Sequence, residues 1–354
     1  MRITMRTLLC LISLFLFAAN SHGHHGNNTQ FDQSQSIEIS GVITKLRFVN
    51  PHAYVYFDVT NEDGSVESWR CELRAATVLK RSGWSEEMFQ PGTSIYIEGA
   101  PARRERRGCY IERLRLDDGE FIQRYDRLNG ANGEIDLSER PMTLPDGQPN
   151  ISGDWAAPQR ILAGGESRRR APGGFRGVDY SQTDAGRAAS TGFDPDRDNP
   201  RINCQPVSII ADWIFDQHIN RIVQTDDTII LTYGFMDIVR TIHLDMDEHP
   251  DDIELTRTGH SIGRWEGNTL VVDTIGFLPG YLDGRFGIKH SDQLHVVERF
   301  EFVPDQGLII RDYVGEDPLY LTESFSSRDN VFLSATPFDP YNCDDLTNEI
   351  VEGN

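Results

Sequence analysis

Two stretches in the second half of the chain carry the side chains that acid–base chemistry needs. The first, Gly259 to Thr274, holds His260, Arg264, Trp265, Glu266 and Asp273. The second holds His290, Asp292 and Glu298, with Arg240, Asp283 and Arg285 as candidate neighbours. An imidazole beside a carboxylate is the minimum set for proton transfer near neutral pH, and it is equally the minimum for an ion pair. The expected roles are His260 and His290 as general bases, with Asp273 and Glu298 orienting them. Arg264 would clamp an anion or carbonyl, and Trp265 and Arg240 would complete the ligand contacts. No His-Glu-x-x-His, phosphate-binding loop or dinucleotide fingerprint is present.

Three further histidines, His22, His24 and His25, lie where a processed chain would begin. A free α-amine, backbone amides and an early imidazole make a Cu(II) site, since nitrogen donors suit copper strongly. The run Asp245 to Asp252 offers oxygen ligands for calcium, but it lacks the spacing and central glycine of an EF-hand loop and reads as a solvated hairpin tip.

These groups have an address. Arg2 and Arg6 precede an apolar run of about 12 residues, Leu8 to Ala19, followed by the small residues Ser21 and Gly23. That is the pattern of a signal peptide over 1–23, too short to span a membrane. The chain is therefore expected to be periplasmic or secreted, with no membrane insertion. Export turns Cys71, Cys109, Cys204 and Cys343 into candidate disulfides. Of three pairings the simplest is Cys71–Cys109 with Cys204–Cys343; buried free thiols are the alternative. With 55 acidic against 34 basic residues the formal charge is −21, which disfavours nucleic acid as a partner. Arg103 to Arg107 is a local basic loop that reads as solvated.

The elements that must position these residues are mostly strands. Within a first domain over 24–125, residues from Ile37 to about Ile122 alternate in period two, with turn signals at Asn61 to Gly64 and a helix-prone stretch, Ala75 to Arg81, stopped by Gly83. Three strands, a helix and two strands is the order of an OB-fold-like Greek-key barrel. Residues 126–203 are polar and rich in Gly, Pro and Arg, and read as a linker with short anchored pieces such as Ile151 to Trp155. Residues 204–354 give hairpins at Ile219–Tyr233, Ser261–Thr274 and Leu294–Tyr313, with further strands at Val239–Leu244 and Leu319–Phe325. About eight antiparallel strands joined locally suggest an up-and-down, lipocalin-like barrel holding one small ligand; a two-sheet sandwich is the runner-up. The expected class is mainly β. On strands, His260, Ile262 and Arg264 share one face, which is either solvent or a polar-lined barrel interior.

His24-His25, Gly41 to Lys45, Asn50-Pro51-His52 and Pro91-Gly92 make the first half resemble a family of uncharacterised exported bacterial domains. The second half resembles another exported family through Gly259-His-Ser-Ile-Gly-Arg-Trp-Glu-Gly-Asn-Thr-Leu-Val-Val-Asp-Thr274. Where those relatives follow the cysteine with His-Glu-Gly-Asn, Cys343 is followed by Asp344-Asp345, so a histidine role there is absent. Neither resemblance implies a reaction. The leading expectation is an exported two-domain protein binding a small, partly apolar ligand in its C-terminal barrel. The alternatives are a lyase, isomerase or hydrolase with a histidine base in that cavity, and a copper-handling or structural envelope protein.

Overall fold

The computed structural model describes residues 30–128, 137–157, 178, 180–195, 197–215 and 218–344. The first half is built from β1 (Ile37–Arg47), β2 (Tyr54–Thr60), β3 (Val66–Glu72), helix α1 (Ala76–Arg81), β4 (Ser94–Pro101), β5 (Gly108–Leu116) and the short β6 (Ile122–Gln123). β1 pairs with both β2 and β4, and β5 pairs antiparallel with β4 and parallel with β3. The ring therefore closes in the OB-like order expected. Cys71 and Cys109 face each other across the parallel β3–β5 joint and form a disulfide there. Inside lie Ile43, Val55, Phe57, Ile97 and Ile111, capped by Leu79 of α1 and by Trp84. The basic loop is paired rather than free, with Arg103 on Asp32 and Arg107 on Glu67.

The second half is a closed barrel of nine strands. Its members are β7 (Gly153–Ala156), β8 (Ile219–Gln224), β9 (Thr228–Thr232), β10 (Val239–His243), β11 (His260–Glu266), β12 (Thr269–Ile275), β15 (His295–Val303), β16 (Leu308–Glu316) and β17 (Phe325–Leu333). Between β12 and β15, β13 (Gly280–Asp283) and β14 (Ile288–His290) form a separate two-stranded sheet. The six-residue helix α2 (Asp184–Ala189) precedes β8. Strict up-and-down alternation closes a ring only with an even number of strands. Nine therefore require a parallel joint, which is β10–β11, bridged by the long loop 244–259. β7, from the stretch expected to link the halves, pairs with β17 and β8 and so closes the barrel. The strand expected at Leu319–Phe325 is instead a turn, because the Asp317 carboxylate accepts the amides of Leu319 and Tyr320; the strand begins at Phe325. Cys204 and Cys343 form the second disulfide.

The barrel interior is filled. Trp155, Ile222, Leu231, Val272, Phe300, Phe302 and Ile309 make its core, and Ile209, Ile210 and Trp213 from the segment before β8 pack onto it as a plug. Four charged side chains sit among them. Glu298 bridges Arg240 (2.6 Å) and Arg311 (3.1 Å), and Arg311 also meets Asp329 (2.5 Å). Arg240 donates to Ser261 and Thr274, and Arg311 donates to the carbonyls of Ile209 and Ile210. Two cations and two anions balance, so burial leaves no net charge, as a low-dielectric interior requires.

Candidate functional site

The side chains singled out by the sequence divide between two sides of the barrel wall. Glu298 and Arg240 point inward, are fully buried and are tied to each other. They hold the barrel together and face no solvent. His260, Arg264 and Asp273 point outward. Trp265 is half-buried against the barrel core. Arg264, 68% exposed along its side chain, pairs with Glu266 at 2.9 Å, and Arg299 meets the same carboxylate. His290 belongs to neither side. It is buried in the β13–β14 hairpin with Nδ1–H donating to the Ser291 carbonyl and its ring edge-on to Phe277. Burial holds its pKa below the usual histidine range, which suits a structural, neutral imidazole. Asp283 and Arg285 pair with each other at 2.9 Å.

On the outer wall, Asp273 gathers partners that the sequence reading missed. Its Oδ1 accepts from His249 Nε2 at 2.9 Å and its Oδ2 from His295 Nε2 at 3.0 Å. His249 Nδ1 lies 2.8 Å from His260 Nδ1. His295 Nδ1 lies 3.4 Å from Glu316 Oε1, and the His243 ring stacks on His260 with centroids 5.1 Å apart. Four of the ten histidines thus collect around one carboxylate.

Register explains the assembly. His243, Ile262, Asp273, Val297 and Val314 are successive cross-strand partners on β10, β11, β12, β15 and β16, and partners in register point to the same side of a sheet. His260 lies two residues before Ile262, and His295 two before Val297. The loop 244–259, required by the parallel joint, folds over this wall and delivers His249. The Asp245 to Asp252 run therefore turns one member inward to the sheet instead of forming only a solvated tip.

A carboxylate only accepts, so His249 carries a proton on Nε2. With a neutral His249 its Nδ1 accepts, His260 donates from Nδ1, and the His260 Nε2 lone pair is bare. Among the described residues nothing donates to that nitrogen. Burial, followed by the neighbouring His249 and His243, lowers the His260 pKa. The opposite happens across the carboxylate. The hydrogen bond to Asp273, assisted by Glu316, raises the His295 pKa, and Asp273 itself is lowered by its bonds to His295 and His249. One carboxylate thus stands between a base-like and an acid-like imidazole.

Among the described residues, no group of three or more His, Cys, Asp or Glu side chains is disposed to hold a metal ion. His22, His24 and His25 lie outside the described residues.

Residues 12–110 match a family of unknown function, DUF6152. The match covers the first half from before β1 into β5, in keeping with an N-terminal domain of an uncharacterised family. The Asn50-Pro51-His52 motif lies within it and has a structural part. Asn50 Nδ2 donates to the Tyr341 carbonyl, and His52 Nδ1 lies 3.3 Å from Glu72. The second half lies beyond this match. A search of curated proteins finds no match to the chain.

Proposed function

We propose that this is an exported acid–base catalyst, of lyase or isomerase type, working on the outer wall of the C-terminal barrel. His260 removes a proton through Nε2 and His295 returns one. The observation that carries the reading is the hydrogen-bonded chain His260–His249–Asp273–His295, whose end imidazoles are shifted in opposite directions. A pair of titratable groups whose surroundings push their pKa values apart marks the base and the acid. Asp273 and His249 orient His260 as the third group of a triad orients its base. The half-buried Ile262 and Val297 and the 49% exposed Val314 offer an apolar strip beside it, which suits a small, partly apolar substrate. The plug and ion lattice fill the barrel, so the wall is a better place for chemistry than the interior. Export rests on the charged start, the short apolar run and the two disulfides. The resemblance of Gly259 to Thr274 to an exported family supports the same reading, and that segment supplies β11, its turn and β12.

The test uses 5-nitrobenzisoxazole. A base takes the C3 proton, the N–O bond breaks, and the coloured cyanophenolate is released. General bases contribute on the order of 10²–10⁴-fold, so His260→Gln should lower the rate at least tenfold while circular dichroism stays unchanged. The wild-type rate should be half-maximal below pH 6.5, since the base is neutral above its lowered pKa. A His260→Gln protein as active as the wild type would overturn the proposal.

A further inference from the structure

The two halves meet at a seam that has its own cleft. Thr77 and Lys80 of α1 face Ile219, Gly234 and the segment Thr336 to Asp339, and together they line about 220 Å³. That is room for about seven waters, and it lies below the roughly 300 Å³ at which drug-sized ligand sites begin. Ligand sites favour such boundaries between domains.

The cleft is stiffly built. Thr77 Oγ1 is hydrogen-bonded to His218 Nδ1 at 3.0 Å and to Asn50. A Cβ on Gly234 would collide with the Ile219 carbonyl, so only glycine lets this loop close against β8. Among the described residues, five non-glycine residues have left-handed φ, and four of them, Cys204, Met236, Asp237 and Asn342, border this seam. Asp237 accepts the amides of Tyr341 and Asn342, and the Cys204–Cys343 disulfide anchors the same strap. Strained backbone of this kind collects at ligand clamps and persists only where its surroundings over-determine it.

Charge selects the occupant. Lys80 Nζ and Asp339 Oδ2 stand 2.6 Å apart, and each side chain is almost half exposed. Ile219, Pro337 and Phe338 give the remainder an apolar wall. A simple anion entering here would meet Asp339, and a simple cation would meet Lys80. A zwitterion satisfies both, with its carboxylate on Lys80 and its ammonium on Asp339. We propose that the seam cleft binds a small aliphatic α-amino acid, independently of the histidine site.

The probe is L-leucine, titrated calorimetrically into the full oxidised chain. Leucine should bind at least tenfold more tightly than 4-methylpentanoate, which lacks the amine, or 3-methylbutylamine, which lacks the carboxylate. Lys80→Met and Asp339→Asn should each cost at least tenfold. Because either change also removes a link between the halves, amide shifts in the unmutated protein give a second readout. Leucine should move the Gly234 and Thr336 signals. Leucine binding no better than its singly charged analogues, or shifts that leave those amides unmoved, would overturn the proposal.

Discussion

Replacing Glu298 by Gln removes the anion that lies between Arg240 and Arg311 inside the barrel. Its two oxygens stand 2.6 and 3.1 Å from the two guanidinium groups, and all three side chains are essentially unexposed. After the change, Asp329 alone faces two buried cations, and the new amide turns N–H groups toward one of them. Breaking a buried pair by removing one partner costs about 3–5 kcal/mol, because a charge is left uncompensated. At about 2–4 °C per kcal/mol for a domain of this size, the barrel should melt about 10 °C lower. Thermal and urea unfolding followed by tryptophan fluorescence read the temperature and the free energy, since Trp155 and Trp213 are buried in the barrel core. Glu301→Gln is the control. Its contact with Arg328 is 3.9 Å long and exposed on both sides, so it should cost less than about 0.5 kcal/mol. A Glu298→Gln protein within 1 kcal/mol of the wild type would refute the view that the lattice is electrostatically matched.

Reduction should weaken the two disulfides unequally. They span 139 and 38 residues, for which the chain-entropy argument gives about 5 and about 4 kcal/mol, measurable by denaturation of Cys204→Ser/Cys343→Ser and Cys71→Ser/Cys109→Ser proteins. Gly99→Ala should destabilise the first barrel by about 1–3 kcal/mol, because its Cβ would strike the Tyr110 carbonyl; unfolding monitored at Trp84 checks this. The stability supplied by His295, whose folded pKa is raised, is fully present below the unfolded value near 6.5 and lost as pH rises through the folded one. His260 is lowered, so its contribution is present above about 6.5 and lost as pH falls through its folded pKa. His295→Gln should abolish the first dependence and leave the second, as stability measured from pH 5 to 8 would reveal.

Much of the fold was legible where local signals and tertiary needs agree. In the first half, turn residues and the Gly83 stop fall between segments whose alternation is clear, and the OB order follows. β15 was equally readable. In His295 to Val303, Glu298 alternates in phase with Val296, Phe300 and Phe302, so its inward position follows from the phase of its neighbours. β11 was ambiguous because its inward face begins with Ser261 and Gly263, which are no more apolar than its outward face. β7 has only four residues and owes its place to partners β17 and β8, which no local pattern announces. The site was half legible. His260 and Asp273 stand on one hairpin, but His249 is hidden among acidic neighbours, and the parallel joint that returns its loop to the wall is a long-range feature. His295 lies on the opposite face of β15 from Glu298, and no local pattern marks that face as functional.

For the outer wall to act as acid and base, Asp273 must set two imidazoles apart. Carbon-detected NMR titration of histidine-labelled protein measures this directly. His260 should titrate below 6.5 and His295 above it, and Asp273→Asn should bring His295 down toward 6.5. If both titrate together near 6.5, or if Asp273→Asn leaves His295 where it was, the acid–base assignment is wrong.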